Sequence, residues 1–175
     1  MADLVIRGAR ALLADGALAA GDVAIVDGSI DSIGQGNGAG TRALDARGLL
    51  LLPGIVDLHG DAFERQIMPR PGVHFPLDLA LLETDRQLIA NGITTAFHGL
   101  TWSWEPGLRG REAALTFLEA MDRLRPRFVA DTRVHLRHEI YNVGAAEEIL
   151  ELLVGGRHRQ LAGGDLFEQA EIGIE

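Results

Sequence analysis

"LLLLPGIVDLHGDAFERQIMPRPGV", residues 49–73, is the stretch whose reading decides the fold. An apolar run ends in His59, Asp61 and Glu64, and then come Arg65, Arg70 and a Pro71-Gly72 turn. Ionisable groups beside a core strand cost free energy unless something pairs with them. Residues two apart on a strand point the same way, so Asp57 and His59 share a face, and Asp61 joins them if the strand runs that far. Imidazole and carboxylate in His-x-Asp spacing suit a zinc-like ion. The competing reading is that His59 caps the strand and Asp61 begins a turn.

Working outward, residues 1–52 read as short strands between turns: a pair broken at Gly8 and at Asp15-Gly16, then a hairpin about Asp27-Gly28. Residues 53–155 alternate strands with helices, as parallel βαβ units do. Strands are expected in "LLLPGIVDLHGD", "ITTAFHGL" and "RFVADTRVHLRHEI", and helices over 76–90, 111–124 and 145–154. Residues 156–175 show weak periodicity and read as a weakly structured tail. A closed β/α barrel needs eight strands and typically about 250 residues. Three units therefore make an incomplete barrel whose open edges call for a cover.

A second polar cluster lies in "TRVHLRHEI". Alternation places Arg133, His135, Arg137 and Glu139 on one face, and Val134, Leu136, His138 and Ile140 on the other. Buried parallel strands normally read apolar on both faces. A face lining a site explains the four polar residues; a solvated edge strand is the alternative. His98 and His138 read as structural histidines, and His74 and His158 are given no role. Trp102 and Trp104 read as a hydrophobic clasp or a roof over the site.

Composition limits the function. The chain has 175 residues, 47% of them hydrophobic, and a net charge of -9. That acidity argues against a general nucleic-acid binder, which needs clustered positive charge. Without cysteine there is neither a disulfide framework nor a thiolate metal site. All 16 basic residues are arginine, so no lysine serves as ligand, base or Schiff-base former. Apolar runs fall short of the roughly 20 residues that cross a bilayer, and the N-terminus does not read as a signal peptide. The expected location is cytoplasmic, with no membrane and no nucleic-acid partner.

With these residues in hand, the chain resembles the amidohydrolase superfamily, in which a small β-sandwich flanks a metal-binding β/α barrel. His59-Gly60-Asp61 with Glu64, "MPRPGV" at 68–73, "GITT" at 92–95 and "HLRHE" at 135–139 occur in order, and together cover about residues 45–150. They resemble one branch, the diphosphatases that act on α-D-ribose 1-methylphosphonate 5-triphosphate in the carbon–phosphorus lyase pathway. Most of the superfamily has His-x-His at the first motif, and this branch has His-x-Asp. At His138 the branch is expected to have cysteine.

The resemblance implies an α/β fold: a β-sandwich segment over 1–52, then the first units of an incomplete TIM barrel over 53–155. It implies His59, Asp61 and Glu64 as metal ligands, with Glu139 as a bridging, catalytic carboxylate where many relatives use a carbamylated lysine. Arg65, Arg70, Arg133 and Arg137 are then candidates to hold phosphoryl oxygens. The implied cofactor is one or two divalent metal ions, zinc ahead of manganese. The implied reaction is attack of metal-activated water on a small phosphorylated substrate, leaving a 5-phosphate and pyrophosphate. Nothing after Val154 resembles the family's later strands, so the chain is expected to be an N-terminal portion. Two other readings stay open: a cyclic-amide hydrolase like hydantoinase or dihydroorotase, and a non-catalytic truncated paralogue. The last would act as an oligomerising module, through a homo-oligomer or association with the missing barrel half.

Overall fold

A computed structural model describes residues 2–34, 40, 42–139, 141–154 and 173–174. Ile140, His158 and, but for residues 173–174, the expected tail lie outside the described residues. The chain divides into two compact units, Met1–Pro53 and Gly54–Glu175.

The first unit is one sheet of five strands: β1 (Leu4–Leu12), β2 (Leu18–Val26), β3 (Ser29–Ile33), β4 (Ala43–Asp45) and β5 (Leu50–Leu51). They are ordered β3-β2-β1-β4, and β5 also pairs with β1. The expected hairpin turn is present, with φ of 49° at Asp27 and 73° at Gly28. Two successive left-handed residues make the turn whose twist matches the flanking strands. Gly8 does not break the chain as expected. β1 runs through it with a register shift between Ile6 and Ala9, and Gly8, at φ 68°, supplies the extra residue of a bulge. β4 and β5 lie parallel to β1.

The opening apolar run is therefore two strands rather than one. Leu50 and Leu51 pair with Arg10 and Ala11 in the first unit, and the next strand begins only at Ile55. Pro53, which has no N–H to donate to a ladder, stands between them.

The second unit contains β6 (Ile55–Gly60), α1 (Ala62–Ile67), α2 (Leu77–Ala90), β7 (Ile93–Trp102), α3 (Arg111–Leu124), β8 (Asp131–His138), α4 (Ala146–Val154) and β9 (Gly173–Ile174). The strands lie in the order β6-β7-β8-β9 and all pair in parallel. α2 stops where Asn91-Gly92 predicts, because Gly92 takes φ 78°, which favours glycine. α1 was not expected: its six residues are too few to show helical periodicity.

One face of this sheet is packed under helices. Leu100 and Trp102 of β7 and Val134 and Leu136 of β8 are buried with Phe117, Leu118 and Met121 of α3 and Leu81 of α2. Asp85 of α2, itself buried, accepts hydrogen bonds from the backbone N–H groups of Val129 and Ala130 at 2.9–3.1 Å. That contact fixes the chain as it enters β8. The strand at the sheet's edge is different: Ile55, Val56 and Leu58 of β6 are 55%, 53% and 68% exposed.

Candidate functional site

The other face of the second unit's sheet bears the polar residues. The parallel register sets Phe97 beside Arg133, Gly99 beside His135 and Thr101 beside Arg137. The alternation expected for β8 holds: Thr132, Val134 and Leu136 are buried, and Arg133, His135 and Arg137 are half-buried between them. His59 comes from the end of β6, where its backbone N–H donates to the Asp57 carboxylate at 3.1 Å.

The two imidazoles on this face meet. His59 and His135 stand edge to face, with ring centroids 4.9 Å apart. His135 Nδ1 also lies 3.3 Å from the Leu58 carbonyl oxygen. The space for this comes from Gly99 of β7, where an added Cβ would sit 3.0 Å from His59 Cε1 and Nε2.

The remaining expected site residues have other partners or other places. β6 ends at Gly60, so Asp61 does not continue the strand alternation; it precedes α1 as its N-terminal cap residue and makes no capping hydrogen bond through its side chain. Glu64 of α1 accepts two hydrogen bonds from Arg109, at 2.9 and 3.1 Å. Glu139 accepts one from Ser103 Oγ at 3.0 Å. Arg133 donates twice to Asp131 and lies over the Phe97 ring, 5.5 Å from its centroid. Arg137 projects from the same face as His135, Arg65 is exposed on α1, and Arg70 is exposed in the turn that pairs with Val73.

His98, on the helix-covered face, is 3% exposed, and its Nδ1 has no hydrogen-bond partner. Phe63 and Phe117 pack edge-on against its ring at 5.5 and 6.1 Å. Burial pushes its pKa down to about 4, against weaker opposing pulls from Asp57 and Asp85, so it is neutral at pH 7. His138 is likewise engaged locally, with Nε2 2.8 Å from the Asn142 carbonyl oxygen. A cavity of about 700 Å³ also opens in this unit, lined by Phe63, Leu100, Trp104 and Phe117. It belongs to the helix side and shares with the polar face only Ser103, whose hydroxyl reaches Glu139.

Sequence reasoning placed His135 on the right face but gave it no role, and it overlooked Gly99 and Ser103. Nothing in "FHGL" announces the glycine, because its purpose depends on a ring from the neighbouring strand.

No family model matches the chain. Among curated proteins it is 28% identical over 132 residues to the α-D-ribose 1-methylphosphonate 5-triphosphate diphosphatase of Escherichia coli K12, covering 74% of this chain and 35% of that protein. It is 36% identical over 107 residues to an adenine deaminase of Methylobacterium sp. 4-46, covering 60% of this chain and 15% of the deaminase. It is 34% identical over 96 residues to a dihydroorotase of Citrifermentans bemidjiense, covering 53% of this chain and 21% of that enzyme. The crystal structure of a triazine hydrolase variant superposes with a TM-score of 0.63 and 17% identity, covering 99% of this chain and 46% of the hydrolase. Together these similarities indicate the amidohydrolase superfamily. It spans about a third of the diphosphatase's length, and its four parallel strands match part of a barrel.

Superfamily members generally use divalent metals. Imidazole and carboxylate on the polar face fit such an ion in type. They do not fit it in number: among the described residues no three His, Asp or Glu side chains group closely enough to hold one. His59 and His135 are the two that already touch. Also among the described residues, no helix is long and apolar enough to cross a membrane.

Proposed function

We propose that this chain belongs to a hydrolase that cleaves α-D-ribose 1-methylphosphonate 5-triphosphate to the 5-phosphate and pyrophosphate. The observation behind this reading is the match to the diphosphatase, which runs along 74% of the chain. The arginines of the polar face support it. Arg133 and Arg137 project from β8 on either side of His135, and a guanidinium fork suits phosphoryl oxygens. A divalent ion, when bound, would supply activated water. The chain's own share is to place imidazole and guanidinium groups along one strand face, so that a triphosphate lies across β7 and β8 with its charge met by arginine.

The test is pyrophosphate release from the ribose triphosphate by the 175-residue protein with added zinc or manganese. Replacing Arg137 by Ala should raise KM more than it lowers kcat if it only holds the phosphate chain. A second reading, hydrolysis of a cyclic amide, is favoured by the dihydroorotase match and by 42% identity over 59 residues to an allantoinase of Solibacter usitatus. Ring opening of dihydroorotate or allantoin without pyrophosphate release would select it. The exposed apolar residues of β6 support a partner or second copy along that edge.

A further inference from the structure

The two tryptophans that follow one another at the end of β7 differ in surroundings. Trp102 is 1% exposed, while Trp104 is 60% exposed and lines the cavity of about 700 Å³. That cavity lies within the second unit, walled by α1, the first turns of α3 and the loop between β7 and α3. Phe63, Phe117 and Leu100 are buried and make its apolar wall, and the two phenyl rings meet with centroids 4.7 Å apart. A space of this volume, mostly apolar and aromatic with a few polar groups, has the character of a small-molecule site. A ring entering it would cover Trp104 where water now reaches it.

The charges beside this wall are unequal. Arg109 is held by Glu64 through two hydrogen bonds and also feels Asp61 and Glu105. Arg111 is held by Glu148 and also feels Glu112. Two guanidinium groups thus face five carboxylates, and the N-terminus of α3 adds only about half a positive charge. Behind the phenyl rings, His98 is neutral at pH 7 and adds none. Glu105 and Glu112 are exposed and line the cavity, so its open side carries the excess negative charge. A cation offsets that excess where an anion adds to it, and the face of Trp104 attracts the same cation.

We propose that the cavity is a binding site for a small aromatic ammonium compound, an arylalkylamine. Its ring lies against Phe63, Phe117 and Trp104, and its cationic end meets Glu105 and Glu112. No imidazole or guanidinium of the polar face takes part, so the site stands whether or not the hydrolytic reading does.

The experiment follows tryptophan fluorescence and heat as the full 175-residue chain is titrated with phenethylamine, with its neutral isostere 2-phenylethanol and with the anion 3-phenylpropionate. Phenethylamine should bind saturably with a Kd of roughly 1 mM or tighter, about tenfold ahead of the alcohol and further ahead of the acid. Trp104→Ala, at an exposed position, should remove the fluorescence response and weaken binding about fivefold by heat. The double variant Glu105→Gln/Glu112→Gln should bring amine and alcohol within about twofold of each other. Thr116→Phe, also at an exposed lining position, should fill the space and abolish binding with the thermal midpoint kept. His135→Gln, on the polar face, should leave the affinity unchanged. A wild-type chain that does not bind phenethylamine overturns the proposal, as does equal affinity for the amine and the alcohol. Full affinity in both Thr116→Phe and Trp104→Ala overturns it too. An equal loss in His135→Gln would put the amine on the polar face and overturn it likewise.

Discussion

β6 and β7 lie side by side in one sheet and contribute to one polar face, but their surroundings differ. β7 has helices on one side and β8 along its far edge, and from Ala96 to Trp102 only Phe97 is not buried. β6 ends the sheet, and three of its apolar residues are more than half exposed. Both strands contain the branched and apolar residues of a strand that wants cover on both faces. The difference teaches that the sequence of β6 is written for a more enclosed setting than this chain alone provides.

The largest expected effect tests that contrast directly. Trp102→Ala removes a side chain that is 1% exposed, and should cost about 3–5 kcal/mol by urea unfolding. Leu58→Ala, at 68% exposure, should cost under about 0.5 kcal/mol. A loss of several kcal/mol at Leu58 would break the comparison, by showing that β6 is covered in solution.

The next effect separates the two faces of β7. His98 is buried and neutral, with a folded pKa of about 4 against 6.5 for the free group. The unfolded chain therefore binds the extra proton first as pH falls. Stability from this source is complete above about pH 6.5, falls between 6.5 and 4, and levels off below. The full displacement corresponds to about 3 kcal/mol. Comparing wild type with His98→Leu across that range isolates the effect, because the variant should lose this part of the slope. Parallel curves would mean that His98 is not buried as described.

Asp85→Ala should follow, at about 2–3 kcal/mol, because it leaves the N–H groups of Val129 and Ala130 without their acceptor. Hydrogen exchange at those two amides should accelerate even if the global change is smaller.

What the sequence revealed, and what it hid, follows the same line. The helices of the second unit were legible because α3 repeats Ala114, Leu118, Met121 and Leu124 at helical spacing and all four are buried. The β8 alternation was legible for the same reason, with period two. The division of "LLLLPGIVD" between two sheets was not, because leucines pairing with β1 and isoleucine pairing with β7 have the same composition. Gly8 read as a break in the strand pair and is a bulge within one strand, which only the register reveals. At the site, residue types were readable and partners were not. Glu64 and Glu139 look alike in sequence, yet one faces Arg109, 45 residues away, and the other faces Ser103, 36 residues away.

The smallest expected effect concerns that Glu64 contact, which joins α1, next in the chain after β6, to the loop that follows β7. The Arg109 side chain is 55% exposed and that of Glu64 is 23% exposed. Water and salt therefore screen the pair, and two aligned hydrogen bonds raise it only modestly above an ordinary surface contact. Arg109→Ala should cost about 0.5 kcal/mol in low salt and nothing measurable in 1 M NaCl, read from urea midpoints at both conditions. The same variant distinguishes two uses of Glu64. If the carboxylate only holds the loop, Zn2+ affinity stays at the wild-type value. If it is a metal ligand held back by Arg109, its release strengthens zinc binding, and the contrast between an open edge strand and a finished middle strand would then extend to the site itself.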